Sequence, residues 1–423
     1  MKKIDRSSKV RTGFHQAKWD EPVIFELSKH GERGILVNKA DAKVAEAVDG
    51  VNALPEFLKR KEAPALPEIS QPRVLRHYSR LAQETLGADV NIEIGQGTCT
   101  VKYSPKVNDQ LANLPQMREM HPLQDESTCQ GIMEIMYNTG KYMCEISGMD
   151  RFSFQPSGGS QGILGMASLV YAYYKSRGEE NERNEIITTI YSHPSDAAAP
   201  HVKGFKIIYL HPDENGYPDY EAFKAAVNEH TAAFFVANPE DTGVYNKNVL
   251  KFTKLVHENG GLCAYDQANA NGLLGVTRAR DAGFDMCFFN LHKTFAMPHG
   301  GGGPGVGPIC VAEHLRAFLP SHPVMPTGGD EGITAVASAP WGSAMLLPIT
   351  YGYIKMLGEN GLRRATEMAI VNANYMSSAL APEYRTYYSG ETGRVGHEMI
   401  LDLTSFKKDY GVDCGDIAHR LMD

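Results

Sequence analysis

No CxxC pair occurs among the seven cysteines (Cys99, Cys129, Cys144, Cys263, Cys287, Cys310 and Cys414), and this odd, widely spaced set fits neither a zinc site nor a disulfide framework. A reduced, cytoplasmic compartment without a metal ligand set is the expectation. No apolar run approaches the roughly 20 residues that a membrane helix requires. Residues 1–11 carry Lys2, Lys3 and Arg6 but lead into polar residues, so no secretory signal is read there. A compact Lys/Arg cluster is also lacking, and a net charge of -8 with a pI near 6.0 argues against nucleic-acid binding. What is there is a chain of 423 residues, 42% hydrophobic, with ordinary glycine and proline usage and no internal repeat. That composition predicts a soluble globular protein of two or three domains whose partners are small molecules and proteins.

Residues 1–85 read as an N-terminal arm and linker, because the proline-interrupted run at 63–72 (APALPEISQP) breaks any helix there. From Asp150 onward, short apolar runs alternate with helical stretches, the pattern of a mostly parallel α/β sheet. The runs are 186–191 (IITTIY), 206–210 (KIIYL), 233–237 (AFFVA), 262–265 (LCAY), 285–289 (DMCFF) and 309–312 (ICVA). Each is largely apolar on both faces, as strands covered on both sides are. Helices are expected at 162–176, 220–230 and 249–258, the last stopped by Asn259, Gly260 and Gly261. The large α/β domain is therefore placed at 86–345. Helices at 348–357 and 362–380 and a strand at 399–403 (MILDL) predict a smaller α+β domain at 346–423. The stretch 414–423 reads as a helix without a C-cap, so the natural chain is expected to continue beyond it.

In open α/β sheets ligands gather at the carboxyl ends of strands, so polar residues directly after the strand runs are the first candidates for a site. Residues 289–307 (FNLHKTFAMPHGGGGPGVG) place His292, Lys293 and Thr294 just past a strand and ahead of four consecutive glycines. A lysine among apolar residues can serve as a Schiff-base nucleophile once desolvation lowers its pKa. It can equally extend its amine to solvent beside a flexible loop. The glycine order excludes a Walker A loop.

Asp266 closes another strand 27 residues before Lys293, where a carboxylate can keep the ring nitrogen of pyridoxal phosphate protonated, or cap a helix. Ala268 beyond it is small enough to lie under a flat ring. Residues 154–165 (FQPSGGSQGILG) offer Ser157, Gly158 and Gly159 at a helix start, where unpaired N–H groups and the helix dipole favour phosphate. His193, in 191–200 (YSHPSDAAAP), follows a strand and is placed to stack on a planar cofactor. Together these four strand-end elements favour a pyridoxal-phosphate site, although each has a bland reading alone.

At these residues the sequence resembles the glycine-cleavage-system P-protein, glycine decarboxylase, in the β subunit (subunit 2) of its two-subunit bacterial form. The resemblance runs through most of the chain, in 76–81 (RHYSRL), 97–106 (GTCTVKYSPK), His121 and Pro122, 155–162, 290–305 (NLHKTFAMPHGGGGPG) and 339–343 (APWGS). It implies a fold-type I pyridoxal-phosphate-dependent transferase. Lys293 matches the Schiff-base lysine, His193 the ring-stacking histidine and Asp266 the pyridine partner. The cofactor cradle would include Ser157, Gly158 and Gly159 with Thr294 nearby, and His292 beside the lysine.

The resemblance also implies that glycine loses CO2 and that its aminomethyl group passes to the lipoyl arm of H-protein, with an α subunit as partner in an αβ pair or its dimer. One departure is local. Where the family usually has His-Gly-Thr/Ser-Asn, this chain has His193, Pro194, Ser195 and Asp196, which loses an amide and adds a carboxylate. That change keeps a second reading open, a pyridoxal-phosphate fold serving as a structural or regulatory subunit. A third is another fold-type I aminotransferase or decarboxylase, which would need an arginine clamp for a substrate carboxylate.

Overall fold

The computed structural model describes residues 21–34, 37–48, 54–84, 105–121, 123–298 and 305–422. The calls made on residues 1–11, on Cys99 with most of its matching stretch, on Pro122, and on the glycine run within 299–304 lie outside them. The chain divides into two compact units, Met1–Asn91 with His419–Asp423, and Ile92–Ala418.

In the first unit the proline-rich run is extended, and Pro72 falls inside the first turn of the helix Gln71–Glu84 rather than ahead of it. A proline is tolerated there because a first-turn N–H has no helical partner to lose. That helix is tied down by carboxylates. Glu32 accepts from the Ser70 N–H at 3.1 Å and pairs with Arg73 at 3.0 Å, and Glu21 meets His77 at 2.9 Å and Arg80 at 3.1 Å.

The second unit is built on a seven-stranded sheet of β1 (Arg151–Ser153), β2 (Glu185–Thr189), β3 (Lys206–Leu210), β4 (Thr231–Ala237), β5 (Leu262–Gln267), β6 (Met286–Phe289) and β7 (Ile309–Val311). Their order is β1-β7-β6-β5-β4-β2-β3. The central pairs β2–β3, β2–β4, β4–β5 and β5–β6 are parallel, while β7 runs antiparallel to both β6 and β1. Period-two alternation sends Phe234, Val236, Tyr265 and Phe289 into one apolar layer and Phe235, Ala264, Phe288 and Ile309 into the other. Both faces of the inner strands are thus dry, which is why those sequences read as continuous apolar runs, whereas the edge strands β1 and β3 carry exposed residues.

The helix Gly159–Ser176 begins three residues earlier than its sequence suggests. Its glycines explain the difference, since they serve packing. A Cβ at Gly159 would lie 2.9 Å from the Asn290 amide, at Gly162 2.9 Å from the Phe288 ring, and at Gly165 2.5 Å from Ile309. This bare stripe lets the helix lie directly on β6 and β7. Further along, Leu347–Leu380 is continuous except at Gly358, whose φ of 62° breaks it where the sequence suggests two helices. The expected strand at 399–403 shortens to Leu401–Asp402, paired with Arg385–Thr386.

Candidate active site

A cavity of about 360 Å³ opens at the carboxyl ends of the parallel strands, and eight of the nine residues singled out for a cofactor line it. They are Ser157, Gly158, Gly159, His193, Asp266, Ala268, His292 and Lys293. The ninth, Thr294, does not line it; its buried hydroxyl accepts the Ala270 N–H at 3.0 Å, tying the turn after β6 to the turn after β5. Thr294 therefore holds the framework and does not touch the cavity.

Lys293 sits half-buried in a single turn, Leu291–Thr294, that follows β6 directly. That turn is pinned by neighbours. Asn290 N–H donates to the Ala268 carbonyl at 3.2 Å, Leu291 N–H to Val306 at 3.1 Å, and Lys293 N–H to Asn290 at 3.0 Å. His292 is buried beside the lysine on the cavity wall, and a Cβ at Gly305 would come within 2.9 Å of its Nδ1.

Asp266 lies within β5, next to its last residue, and is buried. It caps no helix. One oxygen accepts the Ala268 N–H at 2.7 Å. Burial pushes its carboxyl above the usual range, opposed by that N–H and by the positive charges of Lys293 and His193. His193 is exposed at the mouth, with its Nδ1 accepting the Ser195 N–H at 3.1 Å and facing the Ser195 hydroxyl at 2.7 Å. In the neutral ring this leaves the hydrogen on Nε2.

At the opposite wall Gln161 turns back onto Ser157, its Oε1 accepting both the N–H at 2.9 Å and the hydroxyl at 2.7 Å. The N–H groups of the helix's first turn have no helical partner and point at the cavity's glycine edge.

Of three further buried titratable groups near the site, Asp196 is marked in the sequence as a carboxylate replacing an amide near the cofactor, while Glu240 and His397 escaped sequence reasoning. Asp196 is fully buried. Glu240 is buried, accepts the Thr189 hydroxyl, and is pushed up to about 8 by burial. His397, from the C-terminal part of the chain, packs against Gly272 and is lowered to about 4 by burial and then by the charge of Lys293. No local signal marks His397. It reaches the site because Gly396 N–H donates to the Gly243 carbonyl at 2.6 Å, and Gly243, at φ 76°, lies against the Glu398 backbone.

A family model described as "Aminotransferase class-V" matches residues 161–339, and one described as "Glycine dehydrogenase, C-terminal domain" matches 365–423. A protein of Pyrococcus abyssi named "Probable glycine dehydrogenase (decarboxylating) subunit 2" is 40% identical, covering 97% of this chain and 82% of its own length. The chain belongs to this glycine dehydrogenase (decarboxylating) subunit 2 family.

The similarly named Thermococcus kodakarensis member of the glycine dehydrogenase subunit 2 family is 39% identical with the same coverage. Among solved structures, a glycine decarboxylase (P-protein) of the glycine cleavage system in inhibitor-bound form matches with a TM-score of 0.60 at 19% identity, over 81% of this chain and 77% of that one. A cysteine desulfurase from Thermococcus onnurineus matches with a TM-score of 0.59 at 17% identity, over 78% and 82%. These likenesses place the family in the fold-type I class read from the sequence.

Proposed function

We propose that this chain is the pyridoxal-phosphate-bearing subunit of a glycine decarboxylase, with Lys293 as the point of cofactor attachment. The convergence of Lys293, Asp266 and His193 on one cavity beside a glycine-edged helix start carries the reading. The residues fit the group. Asn290 Oδ1, on the cavity wall, is a buried atom without a donor among the described residues, and a Cβ at Gly158 would meet nothing within 4 Å among them. When bound, pyridoxal phosphate supplies a protonated ring into which the electron pair left by departing CO2 can spread.

The first-turn N–H groups after Gly158 would hold the phosphate, with Ala268 small enough to lie beside a flat ring and His193 placed to stack on it. Asp266 would keep the ring nitrogen protonated, and Lys293 would supply the amine that attaches the group. His292, next to the lysine on the cavity wall, would help hold it. Residues 86–345 serve as the cofactor-binding domain and 346–423 as a smaller domain that brings in His397. Glycine is the substrate, an α subunit the partner, and the lipoyl arm of H-protein the acceptor of the aminomethyl group, in the cytoplasm.

Borohydride reduction of the protein incubated with pyridoxal phosphate, followed by peptide mass mapping, tests the attachment. A pyridoxyl label on Lys293 that Lys293→Ala abolishes is the expected result; a folded protein labelled elsewhere or nowhere overturns it. Bicarbonate exchange into the glycine carboxyl group, dependent on added α subunit and H-protein, tests the partners.

A further inference from the structure

Two buried carboxyl groups meet at the cavity wall, Asp266 lining it and Asp196 next to Asp266. Ala237, the last residue of β4, pairs in register with Asp266 of β5. Its N–H donates to Ser192 Oγ at 2.9 Å, and that hydroxyl, its lone pair so engaged, donates in turn to Asp196 Oδ2 at 2.8 Å. This chain of contacts sets Asp196, which is fully buried, within hydrogen-bonding reach of the Asp266 carboxyl. Asp196 Oδ1 is buried as well, with no donor aimed at it among the described residues. Two bare carboxylates so close in a dry site repel strongly, and one proton between them turns that repulsion into a hydrogen bond.

We propose that Asp196 and Asp266 share one proton, with Asp196 as the neutral acid donating its Oδ1–H to the Asp266 carboxylate. The surroundings decide which partner keeps the proton. Asp266 accepts the Ala268 N–H and faces Lys293 and His193, all of which favour its charged form. Asp196 receives only the Ser192 hydroxyl and faces Glu240 and Asp266, so its carboxyl is held well above the usual range, by burial first and Asp266 second. Exposed Asp241 adds negative charge near His193 and Lys293. Asp196 thereby becomes a positioning residue: it fixes one lone pair of Asp266 and leaves the carboxylate's charge for a ring N–H. That last role rests on the cofactor reading above, whereas the shared proton belongs to the protein alone.

Infrared spectroscopy of the cofactor-free protein tests it. The carbonyl band of a neutral carboxylic acid at pH 7 should be lost in part in Asp196→Asn, with a Glu240→Gln variant separating the contribution of Glu240. The Asp196 component should persist in Asp266→Asn. Unfolding titrations supply a second measurement. Relative to Asp196→Asn, the folding equilibrium constant of the parent should fall about tenfold per pH unit above the ordinary carboxylate range, until the pair loses its proton. An Asp196→Asn spectrum identical to the parent's, or a flat difference with pH, overturns the proposal. With cofactor bound, its visible absorption should change with pH in the parent where the pair titrates and stay constant in Asp196→Asn; a pH response unaltered by the substitution overturns the positioning role. Borohydride labelling of Lys293 reports separately: a label without the acid band sinks the shared proton, and the band without a label sinks the cofactor reading.

Discussion

Asp285 sits at the amino end of β6 and Asp266 near the carboxyl end of the adjoining β5, and both are buried. Around Asp285 the chain supplies donors in excess: His257 at 2.8 Å, the Cys263 N–H at 2.8 Å, His314 at 3.5 Å and Arg280 at 3.7 Å. Around Asp266 it supplies one N–H, the Lys293 amine and the His193 ring at the cavity, and a second acid, Asp196. One acid is neutralised to hold β5 to β6; the other is left short of partners where a ligand arrives. The same residue type on the same sheet is thus saturated with donors at one end and left short of them at the cavity, where the proposed chemistry needs it.

The sharpest way to break the comparison is Asp285→Ala, which strands His257, Arg280 and a buried N–H and should cost about 4 kcal/mol in urea unfolding. Asp266→Asn should do the reverse, preserving or raising stability at pH 8 because it removes one of two crowded acids, while activity drops by about 100-fold or more. A stability loss in Asp266→Asn to match that of Asp285→Ala would erase the distinction. His397 gives the next effect. Its ring is neutral in the fold at about 4 and free to protonate near 6.5 when unfolded, so stability should fall by about 3 kcal/mol as pH drops from 6.5 to 4. His397→Gln should flatten that slope. Gly162→Ala, pressing a methyl on the Phe288 ring, should cost about 2 kcal/mol. Thr294→Val, which leaves the Ala270 N–H unanswered, should cost about 1 kcal/mol by thermal unfolding and leave Lys293 labelled by borohydride.

Six of the sheet's strands were legible from their apolar composition, five because both faces are largely buried and the edge strand β3 because its Ile207, Ile208 and Leu210 keep the apolar run despite exposed Lys206 and Tyr209. The seventh, Arg151–Ser153, is short and half-exposed, with too little apolar pattern to read. The cavity lining was legible where it comes from strand ends, as for Lys293 and Asp266. It was not legible where contact depends on stacking order. Asp196 and Asp266 meet only because β4 lies between β2 and β5, and His397 arrives by a loop packed on Gly243. Gly159 was read as phosphate-binding backbone and Gly162 as a helix start, yet their missing side chains are also what bring the helix onto β6.

That helix contact has a metric consequence. β6 runs straight into the turn bearing Lys293, and the helix pressed on β6 begins at the cavity's glycine edge. The gap between the amine and the proposed phosphate seat is therefore gauged by one rigid seam of glycines against Phe288, and not by loops. The seam works as a ruler: a ligand whose aldehyde and phosphate span that gap engages both ends at once, and an analogue longer or shorter by a methylene can satisfy only one.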